Sequence, residues 1–323
     1  MSLRKKLNLV GLYASSLLQH RKNAALFRDL RTYCMFVGYP RTGHSLIGSL
    51  LDAHPNILIA HELDALKLFG CGFSRQQVFY LLMENSRKMA AAGRSHSGYS
   101  YKVPDQWQGR FEELQVLGDK KGATSAMRFF LNPKLLDYAR RKIKNELKFV
   151  HVIRNPYDVL ATMSRRSPRK TLETHIEVFF QLCSSIERLK KQLDPNQLLD
   201  LRLESFIENP EPELDHLCSF IGVRTDAPYL KDCASIVFKS PKKSRFDIGW
   251  DRASIFEVRE RMKQFNFLSG YSYEDAAVSS NPCPPFHDES SPAVNYQRIL
   301  TTGKLLIAVT YGMIEGLLAN LPI

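Results

Sequence analysis

The sequence predicts an α/β fold in which a central, mostly parallel sheet is flanked by helices. Three observations favour this class: short apolar runs recur along the chain, helical patterns separate them, and glycine or Asn-Pro marks where a run stops. Strands that alternate with helices form parallel sheets covered on both faces. Ligands of such sheets bind beyond the carboxyl ends of the strands.

Five apolar runs are predicted to be strands, and amphipathic patterns predict the helices between them. The strand candidates are 34–40, 56–60, 114–120, 147–156 and 198–204, and the helix candidates are 43–53, 157–166, 171–193 and 208–223.

We expect four segments along the chain. A basic, amphipathic helical segment occupies residues 1–32, the main domain 33–275, a flexible linker rich in Ser, Pro and acids 276–296, and an apolar helix 297–323. The last 19 residues are long enough to span a bilayer, but Glu315 near their middle makes that costly. We expect this helix to pack on the domain or on a second subunit, with attachment to a membrane surface as the alternative.

The composition favours an anionic ligand and a reducing compartment. The net charge is +12, which attracts nucleic acid, an acidic membrane surface, or phosphorylated or sulfated small molecules. The six cysteines contain no Cys-x-x-Cys pair, so neither a disulfide framework nor a zinc site is indicated. We expect a cytoplasmic protein, peripheral membrane contact being left open.

The loop "GYPRTGHS" is close to a nucleotide-binding P-loop. Gly38, Gly43 and the hydroxyl of Ser45 follow that pattern, but His44 stands where the phosphate-binding lysine belongs, and Arg41 lies inside the loop. The strand "KFVHVIR" ends in Arg154, where a P-loop NTPase has the aspartate that holds Mg²⁺. An arginine binds phosphate rather than metal. A P-loop-like site for an anion carried without a metal ion is therefore predicted.

In these two motifs the chain resembles the sulfotransferases that use 3′-phosphoadenosine-5′-phosphosulfate (PAPS). Their loop like "PRTGHSLI" wraps the 5′-phosphosulfate, and their strand ending in Arg, followed eight residues later by Ser or Thr, holds the 3′-phosphate. Here these residues are Arg154 and Thr162, with Ser164 as the rival of Thr162. "PRTGHSLIGSLLDAHPNILIAHE" is most similar to tyrosylprotein sulfotransferases and to bacterial and carbohydrate relatives. The resemblance covers about residues 33–275, predicted as a sulfotransferase domain.

The resemblance implies PAPS as donor substrate, adenosine 3′,5′-bisphosphate (PAP) as product and no metal. The segment "SPKKSRFDIGW" is expected to fold over the nucleotide. The implied donor-binding residues are Arg41, Thr42, Gly43, His44, Ser45, Arg154, Thr162, Lys243, Ser244 and Arg245.

Three residues are assigned catalytic roles by the resemblance. Glu62 is the general base that removes the acceptor proton, and we expect burial to raise its pKa. Lys120 stabilises charge on the bridging oxygen, with Lys121 as its neighbouring alternative, and Arg41 contacts the sulfuryl group. His96 is interpreted as a surface residue.

The predicted function is in-line, metal-free sulfuryl transfer from PAPS to an acceptor hydroxyl or amine. The identity of the acceptor is left open, since it is set by loops, here 63–112 and 165–180. Two alternatives are kept: a nucleotide-dependent kinase with a degenerate P-loop, and a non-enzymatic basic protein that binds polyanions. No specific nucleic acid is expected as a partner; membrane-surface contact or homo-oligomerisation through the C-terminal helix stays open.

Overall fold

The computed structural model describes residues 3–19, 21–96 and 98–274 of the chain. Five of its strands form one parallel sheet, and two short strands form a separate antiparallel hairpin. The strands are β1 (Thr32–Val37), β2 (Ile57–His61), β3 (Ser95–His96), β4 (Tyr99–Ser100), β5 (Val116–Lys120), β6 (Glu146–Ile153) and β7 (Leu198–Arg202). The order in the sheet is β2-β5-β1-β6-β7, so β1 lies at its centre.

Helices connect the strands and cover both faces of the sheet. They are α1 (Leu3–Gln19), α2 (His44–Leu51), α3 (Ala65–Gly70), α4 (Arg75–Ala91), α5 (Gly122–Leu131), α6 (Leu135–Ile143), α7 (Pro156–Arg166), α8 (Leu172–Lys190), α9 (Leu203–Glu208), α10 (Pro210–Ile221), α11 (Ala227–Ser235) and α12 (Arg252–Met262). Short 3₁₀ turns occur at Ala24–Phe27, Ser244–Asp247 and Asn266–Leu268.

The central strand, β1, shows why the strands of this sheet are continuous apolar runs in the sequence. Side chains alternate along a strand, so Tyr33, Met35 and Val37 pack into the core on one face and Cys34 and Phe36 into the core on the other. All six residues of β1 are buried. A strand buried on both faces needs apolar residues at every position rather than at every second one.

The turn from β6 into α7 is fixed by its own sequence. The side chain of Asn155 accepts a hydrogen bond from the Tyr157 N–H at 3.0 Å, and Pro156 begins the helix with the backbone angle that a helix needs. The Asn155 N–H donates to Glu204 Oε1 at 2.8 Å. These contacts hold Arg154 at the carboxyl end of β6.

The predicted fold class, α/β with a parallel central sheet in a P-loop-like arrangement, is confirmed. All five main-sheet strand predictions correspond to observed strands, with boundaries that differ by a few residues. The predicted linker at 276–296 and helix at 297–323 lie outside the described residues. Among the residues described, no helix is both long and apolar enough to cross a membrane.

Candidate active site

Four strands of the sheet deliver the predicted site residues to one edge. Arg41 to Gly43 lie in the loop after β1, and His44 and Ser45 begin α2. Glu62 follows β2, Lys120 ends β5, and Arg154 follows β6. These strands are parallel neighbours, so their carboxyl ends share an edge. A cleft of about 800 Å³, a size typical of small-molecule sites, opens there and is lined by residues from all four.

The loop after β1 turns sharply into α2. Gly38 and Gly43 have φ angles of 144° and 86°, a region that glycine adopts readily. A Cβ atom on Gly43 would lie 2.6 Å from Cδ1 of Leu203, so the turn has no room for a side chain. No side chain caps the first turn of α2, which begins at His44. Gly43, His44 and Ser45 line the cleft, so the backbone N–H groups at this helix start are available as donors for an anion.

His44 does not replace the missing P-loop lysine as a charge. Its ring is buried beneath the loop, and a Cβ on Gly122 would lie 2.5 Å from its Cε1 atom. Its Nδ1 lies 3.2 Å from the hydroxyl of Thr42, which is itself buried within the loop and donates to the Tyr39 carbonyl at 3.3 Å. Burial, with a smaller contribution from Lys120, lowers the pKa of His44 to about 3, so the ring is neutral at physiological pH.

Lys120 supplies a positive charge beside the first turn of α2. Its Nζ atom donates to Glu62 Oε1 at 2.9 Å and to Ser45 Oγ at 3.2 Å, and its side chain is almost fully buried. Lys121 reaches the other oxygen of the same carboxylate, Oε2, at 3.4 Å. A lysine from β5, rather than one from the loop itself, thus brings positive charge to the start of α2.

The electrostatics of Glu62 differ from the prediction. Burial acts to raise its pKa, but Lys120 and Lys121 outweigh burial and bring the pKa down to about 2. The expectation of a raised pKa is therefore wrong for the structure without substrate, because two ammonium groups lie within contact of the carboxylate. Burial lowers the pKa of Lys120 despite the attraction of Glu62.

Two histidines lie near Glu62, and one of them, His96, lines the cleft. The rings of His61 and His96 have centroids 4.6 Å apart, and His96, interpreted as a surface residue, is partly buried and lines the cleft. One ligand atom from each of His61, Glu62 and His96 lies within 4.8 Å of the others, a donor set that suits a transition metal. Because Lys120 and Lys121 already engage the Glu62 carboxylate and repel cations, we treat these groups as part of the substrate cleft.

Arg154 connects the loop after β1 to residues 240–244, which contribute to the cleft lining and are called the crossing segment below. Its guanidinium donates to the Arg41 carbonyl at 3.1 Å, to the Lys242 carbonyl at 2.6 Å and to Ser244 Oγ at 3.1 Å. Thr162 also lines the cleft, and its hydroxyl donates to the Asp158 carbonyl one turn earlier in α7. Its rival Ser164 is not among the residues that line the cleft.

The structure does not bring Arg245 and Lys243 to the cleft lining. Arg245 is buried, donating from Nη1 to Asp158 Oδ2 at 2.6 Å, while its backbone N–H donates to Asp158 Oδ1 at 2.8 Å. Its Nε donates to the Tyr273 carbonyl at 2.8 Å. Arg245 therefore holds the crossing segment onto α7 from behind. Lys243 is exposed, and its neighbour Lys242 lines the cleft instead.

Several cleft residues were not singled out in the sequence as site residues. They include three basic residues, Lys242, Arg165 and Arg166, and an aromatic pair, Tyr99 and Phe238, whose rings meet edge to face with centroids 5.7 Å apart. The sequence signals for these basic residues were the run "SRRSPRK", for Arg165 and Arg166, and the segment "SPKKSRFDIGW", which contains Lys242. Tyr99 belongs to the β3–β4 hairpin, which no local pattern associated with Glu62.

Comparison with known proteins shows which family this chain matches. Residues 35–227, more than half of the chain, match the profile of a sulfotransferase family. No curated protein sequence matches the chain significantly. Solved structures match at low identity: a sulfotransferase domain from the curacin biosynthetic pathway (16% identity, TM-score 0.47, covering 73% of this chain and 98% of that one), a sulfotransferase from Alicyclobacillus acidocaldarius (17%, 0.41, 74% and 94%) and a mouse sulfotransferase complexed with PAP (11%, 0.38, 70% and 67%).

Proposed function

This chain belongs to the sulfotransferase family, and we propose that it transfers a sulfuryl group from PAPS to an acceptor hydroxyl or amine. The observation that carries the proposal is the contact of Lys120 with both Ser45 and Glu62 at the start of α2. The cation of Lys120, the proposed phosphate-binding loop and the candidate base Glu62 come together at this point, and Arg154 lines the same cleft.

The cleft offers separate groups for the two ends of the donor. In this proposal the 5′-phosphosulfate lies at the N-terminus of α2, where the backbone N–H groups, Arg41 and Ser45 bind its oxygens. The 3′-phosphate lies against Arg154, Ser244 and Thr162, whose hydroxyl rotates away from the Asp158 carbonyl to donate. Arg154 presents a planar fork of donors that matches a phosphate.

The proposed reaction is a single in-line displacement. The acceptor oxygen forms a bond to sulfur as the bond from sulfur to the nucleotide oxygen breaks, and that electron pair leaves on PAP. Glu62 takes the acceptor proton, and Lys120 stabilises the charge that develops on the leaving oxygen. Arg41, Lys120 and Arg154 supply the positive charge that a P-loop NTPase draws partly from Mg²⁺, so the proposed step includes no metal ion.

In this proposal, the contacts of Lys120 and Lys121 with Glu62 make the basicity of Glu62 depend on whether the donor is bound. Without substrate, Lys120 and Lys121 hold the pKa of Glu62 near 2, which makes the carboxylate a weak base. When Lys120 turns to the oxygens of the bound donor, Glu62 loses its nearest cation and its pKa rises. The base is then strongest when the sulfuryl group is in place.

Donor binding is tested by thermal unfolding. We expect PAP without metal to raise the midpoint by several degrees at about 100 times its dissociation constant, since that adds roughly 2.7 kcal/mol of stability. ADP should give a smaller shift, because it lacks the 3′-phosphate that Arg154 binds. Arg154→Ala should remove most of the shift given by PAP, with its own unfolding measured without ligand as the control.

The same assay separates the proposal from its two alternatives. A shift with Mg-ATP, and none with PAP, would replace it with the kinase, and magnesium-dependent ATP turnover would confirm that. Stabilisation by heparin or nucleic acid that falls steeply with salt, without a saturable response to PAP, would favour a polyanion-binding protein.

Two adjacent lysines give a matched test of where the donor lies. We expect Lys242→Ala to weaken PAP binding several-fold, because this lysine lines the cleft and its carbonyl accepts from Arg154. Lys243→Ala, a change of the same charge one residue away, should leave the affinity for PAP nearly unchanged. Isothermal titration calorimetry measures both. Equal losses would mean that the effect is one of net charge, and a loss confined to Lys243→Ala would move the 3′-phosphate out of this cleft.

A further inference from the structure

Helix α1 is fixed to the domain by one face. The ring of Tyr13 contacts that of Phe73 edge to face, with centroids 5.0 Å apart, and Ser16 is fully buried. Nε2 of Gln77 on α4 donates to Ser16 Oγ at 3.1 Å and to the Tyr13 carbonyl at 3.3 Å. The helix is therefore docked on α4 rather than projecting from the domain.

The opposite face of α1 is apolar and exposed. Val10 is 65% exposed, Leu17 49% and Leu18 74%. At the helical repeat, positions 17, 10, 14 and 18 fill one continuous arc of about 100°, and every one of them is an apolar residue. Of the eleven large hydrophobic side chains most exposed in the described residues, five belong to this helix.

Basic residues flank this apolar face at both ends. Arg4, Lys5 and Lys6 lie at the start of α1, and Arg21 and Lys22 follow its end. The first 28 residues contain no Asp or Glu at all. An apolar stripe bordered by lysine and arginine, with acids absent, matches the charge and hydrophobicity of an anionic bilayer surface.

We propose that α1 docks the protein on the surface of an anionic phospholipid bilayer. The exposed stripe enters the headgroup region, and the flanking lysines and arginines contact the lipid phosphates. A second copy of the chain fits this face less well, because two such helices packed side by side in either orientation bring basic ends against basic ends. The inference does not depend on the reaction proposed above.

Vesicle flotation of the full chain tests the proposal. We expect the protein to float with vesicles of mixed phosphatidylglycerol and phosphatidylcholine and not with phosphatidylcholine alone. Leu17→Ser with Leu18→Ser should reduce the bound fraction at least tenfold at limiting lipid. The matched control is Leu131→Ser with Phe256→Ser, which removes side chains that are 47% and 55% exposed elsewhere on the domain and should leave binding unchanged.

Three outcomes would overturn the proposal. The first is failure of the wild-type protein to float with either vesicle type. The second is flotation of the α1 variant as complete as that of the wild type, which would assign membrane binding to another segment such as residues 297–323. The third is a change from dimer to monomer in the α1 variant, seen by analytical ultracentrifugation, without an effect on flotation. Thermal unfolding of each variant checks that the domain is folded.

Discussion

Replacing Glu62 by glutamine is expected to lower kcat by about 10²–10⁴-fold, the usual contribution of a general base. Glutamine keeps the shape of the side chain but cannot accept the acceptor proton. Its affinity for PAP should be unchanged or tighter, because Lys120, which now donates to Glu62 at 2.9 Å, is released towards the donor. Sulfuryl transfer from PAPS to a panel of phenols, sugars and amines measures the rate, and calorimetry measures PAP binding.

The pH dependence adds a signature that a structural role of Glu62 would lack. A base works only when it is deprotonated, so activity falls as the pH drops through its pKa. The value of kcat/KM for PAPS reports the enzyme without donor. Because the pKa of Glu62 in that state is about 2, kcat/KM for PAPS should have no acid limb from this group between pH 5 and 8. If the bound donor withdraws Lys120, kcat should show an acid limb at higher pH than kcat/KM.

His96→Ala is the control that tests the identity of the base. His96 lines the same cleft, and burial together with Lys120 lowers its pKa, so its neutral imidazole is also able to take a proton. We expect His96→Ala to lose far less activity than Glu62→Gln. The reverse result, with turnover kept in Glu62→Gln and lost in His96→Ala, would transfer the role of base to His96.

The fold was predictable because its signals are local. The apolar runs of β1 and β6 and the Asn-Pro turn after Arg154 act over a few residues, and parallel topology then brings the strand ends to one edge. This rule placed the glycine loop and Arg154 at one site, whereas Glu62 and Lys120 were assigned by the resemblance to sulfotransferases.

The parts that sequence did not predict depend on contacts between distant residues. Arg245 turns away from the cleft because Asp158, 87 positions earlier, is buried beside it. His96 reaches Glu62 because a hairpin folds back over the cleft, and the low pKa of Glu62 follows from the side-chain position of Lys120. Charge and spacing in the sequence carry no information about which way such side chains face.

Breaking the buried pair between Asp52 and Arg94 is expected to give the largest loss of stability. Asp52 is fully buried and accepts from the Ile59 N–H at 2.7 Å, from Ser86 Oγ at 2.7 Å and from the Gly109 N–H at 2.8 Å, besides its contact with Arg94. Asp52→Asn leaves a guanidinium buried without its counter-ion. Removing one member of such a pair costs about 3–5 kcal/mol.

Urea unfolding of Asp52→Asn measures this cost, and a surface pair provides the control. Lys263→Ala removes an ion pair of Nζ with Glu260 at 2.7 Å, but this lysine is exposed, so the loss should stay below about 1 kcal/mol. If Asp52→Asn lost no more than Lys263→Ala, the buried pair would not stabilise the fold as argued.

A double variant then separates the missing charge from the missing hydrogen bonds. Asp52→Asn combined with Arg94→Met removes the orphaned guanidinium, so it should be less destabilised than the sum of the two single changes. The backbone N–H groups of Ile59 and Gly109 donate to different oxygens of Asp52, and asparagine has only one oxygen. One of these N–H groups therefore loses its acceptor, so full recovery is not expected. Because Ile59 lies in β2, three residues before Glu62, and Arg94 immediately precedes the hairpin that carries His96, this pair also anchors both walls of the cleft around the proposed base.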